Sequence, residues 1–271
     1  MMFSMWSIIE EKKERLDQLR PLGPQTLDAL RHDFDIRLTY TSNAIEGNTL
    51  TLRETALILR DRVTVGGKPL KDVFEAVDHF DALQFARELA ESAHTIGEPE
   101  VCRLHALVMT NSAPAEAGIY SQHQRRIVGS PVVFPQPVKI PRLMDEFGTW
   151  LSEQPASPQT AFDAHFRLVA IHPFSDGNGR TARLLLNMIL LRDGWPPIEI
   201  GPAELVYSKP IHPYTASLLA AVPIPDPRTN AQRERRPLEG DVPSPSDPPS
   251  GCRFHTRCPY RQPTLCDTEV P

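Results

Sequence analysis

The run Leu184–Leu191, LLLNMILL, is apolar on every side. A surface helix carries an apolar stripe of roughly 100° and keeps a polar face. This run has no such face, so its helix has to lie at the centre of the fold with other helices around it. The sequence supplies the partners. Apolar residues recur at helical spacing in Ile8–Leu19, in a long segment from about Gln25 to the stop signal Gly47-Asn48, and in LTLRETALILRD. They recur again in the amphipathic KDVFEAVDHFDALQFARELAE, in PEVCRLHALVMTN, in Arg142–Leu151 and in Gln159–Ile171. A helix over Asn178–Arg192 closes the series. Only GIYSQHQRRIVGSPVVFPQP breaks the pattern; its β-branched residues flank Gly129-Ser130, which predicts a small β-hairpin flap. The expected fold class is therefore mainly α: a helical bundle with one hairpin flap.

After Gly201 the character changes. Nearly half of the 28 prolines lie beyond Leu205, and the stretch PIPDPRTNAQRERRPLEGDVPSPSDPPSG is rich in Pro, Ser and charge. Such a segment buries too little apolar surface to offset chain entropy, so an extended tail is expected. A net charge of -5 gives no general attraction to nucleic acid or anionic membranes. The N-terminus, MMFSMWSIIEEKKERLD, has only a brief apolar patch. It predicts neither a secretory leader nor a membrane span, and makes the cytoplasm, with reduced thiols, the expected compartment.

Chemistry concentrates in HPFSDGNGRTAR, His172–Arg183. His172 precedes Pro173, which disfavours helix and should end the preceding one there. Gly177 and Gly179 permit left-handed or close-approach backbone, as in nests that aim successive N–H groups at an anion. The next helix starts at about Asn178 or Gly179, and its free N–H groups favour a phosphate. Arg180 and Arg183 fall in its first turn, where each opposes the helix dipole by about 0.3–1 kcal/mol. A bound polyphosphate reverses that sign and gains charge-assisted contacts. Asp176 is the loop's only carboxylate and suits a magnesium ion shared with phosphate oxygens. A neutral His172 beside it could take a proton from a hydroxyl. These parts point to phosphoryl or nucleotidyl transfer; the plainer reading is an Asp-Gly/Asn-Gly loop between two helices with surface arginines.

The motif resembles the Fic (Fido) signature, H-x-F-x-D/E-G-N-G-R-x-x-R, at His172, Phe174, Asp176, Gly177, Asn178, Gly179, Arg180 and Arg183. Members of that family mostly transfer AMP from ATP to a Ser, Thr or Tyr hydroxyl of a target protein. The resemblance implies that His172 is the general base, that Phe174 anchors the loop in the core and that Asp176 binds Mg²⁺. It gives the α- and β-phosphates to the Gly177-Asn178-Gly179 backbone, the Asn178 side chain and Arg180, and the γ-phosphate to Arg183.

A second segment, TSNAIEGNTLT from Thr41, resembles the family's inhibitory motif, S/T-x-x-x-E-G/N. Ser42 and Glu46 are four apart and share one helix face. The resemblance implies that Glu46 neutralises Arg183 and occupies the γ-phosphate position. The other reading makes Glu46 a solvated residue at a helix C-cap, with Gly47 ending the helix. Within the flap, Ile127, Val128 and Gly129 would position the target chain by adding it as a strand; Ser121 stands where the family often has arginine. His105 reads as packing rather than catalysis. Asn187 reads either as facing the nucleotide or as a capped polar residue in a buried helix. Fic proteins often dimerise, so a homodimer is implied too.

The Fic resemblance covers roughly Ile8 to Ile200. It divides the chain into N-terminal helices with the inhibitory segment over 1–65, a Fic core over 66–200 and a tail over 201–271. The tail, with His212-Pro213-Tyr214-Thr215 and the segment GCRFHTRCP, resembles the C-terminal region of oligopeptide/dipeptide ABC-transporter ATP-binding subunits. That implies transporter subunits as partners of the tail. No G-x-x-x-x-G-K-[ST] occurs, so no P-loop ATPase accompanies it. Cys252, Cys258 and Cys266 fall in this tail; such cysteines hold an iron–sulfur cluster in some relatives, and three thiolates could hold a metal weakly. Cys102 reads as a small core residue.

Overall fold

A computed structural model of the chain describes residues 5–126 and 133–200 and, beyond these, only residues 249, 250, 256, 258 and 261. The chain divides into two units, Met1–Ile200 and Gly201–Pro271. The first holds the helices α1 (Met5–Asp17), α2 (Pro24–Ile45), α3 (Leu52–Asp61), α4 (Leu70–Glu91), α5 (Glu98–Val108), α6 (Ile140–Glu153), α7 (Pro158–Ile171) and α8 (Asn178–Arg192). A single 3-10 turn, Pro137–Lys139, precedes α6.

The helix α8 is central because its sequence leaves it no alternative: every residue from Arg180 to Leu190 is buried. It packs chiefly on α7 and α4 and then on α5, while α6 closes the far side against α5 and α7. Their apolar side chains form one core that includes Leu83, Leu104, Met144, Leu168, Leu185 and Met188. A smaller cluster of Ile36, Leu50, Ile58, Leu59 and Ala76 seats α3 on α2 and α4. Helix starts follow local chemistry. Thr51 caps α3 by accepting from the Glu54 N–H at 3.2 Å, and the Thr51 N–H donates back to the Glu54 carboxylate at 2.7 Å. Ser157 caps α7 by accepting from the Thr160 N–H.

One expectation needs correction. The helix α4 is not cleanly amphipathic: its N-terminal half buries Asp72, Glu75, Asp78 and His79. Each carboxylate there serves a neighbouring loop. Asp78 accepts from the backbone N–H groups of Asn111 and Ser112 after α5, and Asp72 accepts from the Thr49 N–H at 2.8 Å. The flap, for its part, shows only isolated pairings among the described residues. Arg126 bridges Val133, and Tyr120 bridges Phe174 of the motif loop. Pro135 and Pro137 remove backbone donors from the return arm, which limits its ladder. Ile127, Val128 and Gly129 lie outside the described residues, as do Cys252 and Cys266 and the stretch read as an extended tail.

Candidate active site

His172 closes α7. Its N–H donates to the Leu168 carbonyl at 2.9 Å, and its backbone is left-handed (φ 51°, ψ 57°) rather than in the extended form usual before proline. Phe174 is fully buried, its ring stacked on His105 at 3.6 Å. The Asn178 amide then closes the loop on itself, accepting from the Phe174 N–H (2.9 Å) and donating to the Phe174 carbonyl (2.8 Å). That side chain, read as a phosphate contact, therefore has both ends of its amide engaged within the loop. The two glycines act differently. Gly177 is left-handed (φ +74°) and lies against Met109 and His105. Gly179 is helical and leaves room for the Glu46 carboxylate and the Arg183 guanidinium.

The charges gather on α8's first turn. Arg180 is buried, with Nη1 3.4 Å from Glu75 and Nη2 3.3 Å from Asp176. Its Nε and Nη1 have no hydrogen-bond partner among the described residues. Orphaned guanidinium N–H groups are what a polyphosphate would satisfy. Burial alone would raise the Asp176 carboxyl, but Arg180, the Gly177 N–H and Lys71 outweigh it and hold the group below the usual carboxylate range. An ionised, half-exposed carboxylate fits a magnesium ion. No cluster of three or more acidic, His or Cys side chains among the described residues could hold a metal alone, so an ion at Asp176 would draw its other ligands from phosphate and water. Burial holds His172 below the ordinary histidine range and so keeps it neutral at physiological pH.

Arg183 reaches across to α2. Its Nε donates to the Ser42 hydroxyl at 2.9 Å, and Nη2 donates to the Ser42 carbonyl at 2.9 Å and to Glu46 Oε1 at 2.6 Å. Glu46 is the C-cap residue of α2, followed by left-handed Gly47. It is thus a cap that also bonds the arginine rather than a solvated one. Its position is fixed from below. Asn48 donates to the Asp72 carbonyl (3.0 Å) and to Glu75 Oε2 (2.9 Å), while Lys68 donates to the Thr49 carbonyl (2.5 Å).

Several participants were missed in the sequence. Glu75 and His79 sit on the buried face of α4; four ionisable residues on one core-facing stretch were the available signal. His105 supports the loop. Its Nδ1 accepts from the Gly118 N–H (3.0 Å), which leaves Nε2 to donate to the Asp176 carbonyl (3.0 Å). Phe134 stacks on the His172 ring at 3.9 Å. Asn187 turns away from the motif loop: it donates to the Arg183 carbonyl one turn back (3.1 Å) and to the Ile198 carbonyl (3.0 Å), and accepts from the Ile198 N–H (2.7 Å), pinning the segment after α8. Cys102 is half-buried beside Tyr120, and Cys258 has no disulfide.

Residues 95–190 match the model of the Fic/DOC family. Residues 198–266 match that of the oligopeptide/dipeptide transporter C-terminal region. A Fic-domain-containing signaling protein from Bacteroides thetaiotaomicron VPI-5482 superimposes with a TM-score of 0.67 at 30% identity, covering 72% of this chain and 76% of that one. Fic-1 from C. elegans gives 0.63 at 32% identity, over 80% of this chain and 65% of its own. The chain belongs to the Fic family. Among curated relatives, Protein adenylyltransferase Fic from Nematostella vectensis is 36% identical over 71% of this chain. The same-named protein from Aedes aegypti is 35% identical over 70% of it. The chain spans only 45% and 40% of these relatives' lengths.

Proposed function

We propose that this chain is an autoinhibited protein adenylyltransferase that moves AMP from ATP to a Ser, Thr or Tyr hydroxyl of a target protein. The relatives' names support the reaction, and the observation that carries the inhibited state is the Glu46 carboxylate on Arg183, over Gly179. That carboxylate takes the place an anion would take at the start of α8. With Glu46 withdrawn, Arg183 is free for the γ-phosphate, and Arg180 with the N–H groups of α8's first turn faces the inner phosphates. Asp176 would hold a magnesium ion, which neutralises phosphate charge when bound.

The chemistry needs one proton acceptor. Neutral His172 takes the target hydroxyl's proton as its oxygen bonds the α-phosphorus. The bond from that phosphorus to the bridging oxygen breaks, and pyrophosphate leaves. The α8 N-terminus and Arg180 stabilise the charge that builds on the phosphates.

With α-labelled ATP and magnesium, Glu46→Gly raises label transfer to protein by 10-fold or more, the factor that about 1.4 kcal/mol of bias toward the closed pair supplies. Adding His172→Ala lowers it by about 10²–10⁴-fold. The γ-labelled nucleotide gives no label. A folded Glu46→Gly protein that transfers nothing refutes the reading. A second reading is favoured by the tail's own family match: residues 198–266 dock on peptide-transporter subunits, and the Fic domain is their passenger. Co-purification with such subunits through the tail, without label transfer, would select it.

A further inference from the structure

The face of His172 is covered by an aromatic ring from the flap. Phe134 lies over the imidazole with centroids 3.9 Å apart and planes within 14°. Little else orients that ring. Nδ1 is buried and makes no hydrogen bond among the described residues, although the Val169 backbone lies close enough to favour the protonated ring. A general base is ordinarily held by a third group bonded to its far nitrogen. Here a ring plane does that work.

Phe134 is itself well fixed. Its N–H donates to the Arg125 carbonyl at 3.0 Å, and the adjacent Val133 bridges Arg126. It precedes Pro135, which disfavours the right-handed helical region for its backbone. Its backbone is therefore tied to the Arg125–Arg126 arm of the flap, the segment that the family resemblance assigns to positioning the target chain.

We propose that Phe134 is a positioning residue that fixes the ring plane of His172 and ties that alignment to the conformation of the flap. The inference rests on His172 being the base. Lining up the target strand and lining up the base then depend on one short segment, and a disturbed flap loses both.

The test uses the full chain in the Glu46→Gly background, with Phe134→Leu to remove the ring and Phe134→Tyr to keep it. Histidine-labelled protein reports the stack directly, because a parallel ring shifts the His172 ring protons upfield. Those signals move downfield in Phe134→Leu and stay in Phe134→Tyr, while His105, stacked on Phe174, stays in both and reports an intact loop. Label transfer then falls about 10–100-fold in kcat for Phe134→Leu, the penalty of a misaligned reacting group, with KM for ATP unchanged. Phe134→Tyr recovers most of it. His172 signals that ignore Phe134→Leu overturn the proposal, as does an unchanged kcat once they have moved. If the Glu46→Gly parent transfers no label, the functional reading fails, while the His172 signals still decide whether Phe134 sets the ring.

Discussion

At His172 the backbone adopts a left-handed conformation that costs a non-glycine residue about 1–2 kcal/mol. The loop holds it there because Phe174, Asn178 and His105 fix the next six residues in one arrangement. Two further histidines are buried and neutral for lack of water. Burial, with Arg183 and Arg180 nearby, brings His79 down to about 3; burial brings His105 down to about 4 despite its bond to the Asp176 carbonyl. Both values lie below the ordinary 6.5, so the unfolded chain binds protons that the fold refuses. Stability from these groups is full above about pH 6.5 and is lost as pH falls toward 4 for His105 and 3 for His79, at a scale of a few kcal/mol per group. Thermal melts between pH 7 and 4.5 should show Tm falling more steeply in the wild type than in His79→Gln. Parallel slopes would mean that His79 does not titrate as its burial requires. The burial of His79 was not visible in the sequence, where it is an ordinary member of a helical segment, whereas His105 already reads there as a packing residue.

The helices themselves were legible, for a physical reason. Their apolar spacing is set by burial on one side, and Gly47, Pro173 and Gly177 mark where they stop or start. Even α8 could be placed at the centre from LLLNMILL alone. What periodicity could not reveal was which polar residues of a core-facing stretch are tied to other elements. The loop partners of Asp72, Glu75 and Asp78 lie 23 to 34 positions away along the chain, and Glu75 also meets Arg180 on α8. The Arg183–Glu46 pair, 137 positions apart, was reachable only through its resemblance to a known motif. Close helix crossings were equally hidden. Gly148 sits inside α6, where a Cβ would come within 2.6 Å of the Glu98 nitrogen at the start of α5. Backbone cannot yield there, so Gly148→Ala should destabilise by about 1–3 kcal/mol even though alanine is the better helix former. That is a fall in Tm of several degrees for a domain of this size. Gly66→Ala, with nothing within 4 Å of the added carbon, should leave Tm unchanged. A Gly148→Ala protein that melts no earlier would show that α5 and α6 cross less closely than described.

For the molecule as a whole, the question is how much chain the site needs. The apolar core draws on α2 and α4 to α8, and among the described residues its last contributor is Ile198. Asn187 holds Ile198 at both backbone groups, so the last anchored stretch of the first unit ends within two residues of Ile200. Every residue placed at the candidate site, from Ser42 to Arg183, lies before that point. The tail brings a different family match and a Pro-rich composition that contributes little apolar surface. A chain ending at Ile200 should therefore fold alone, with Tm within about 2 °C of the full chain, since a change of 1 kcal/mol moves a domain of this size by about 2–4 °C. Carrying Glu46→Gly, it should transfer label from α-labelled ATP as well as the full chain does. A cut three residues earlier, before Ile198, leaves the buried Asn187 side-chain oxygen without its donor, while the amide NH2 keeps the Arg183 carbonyl, and costs about 1–3 kcal/mol. Loss of a cooperative melt in the chain ending at Ile200 would mean that the tail is part of the domain's core. An intact melt with lost transfer would instead assign the tail to the target or the reaction.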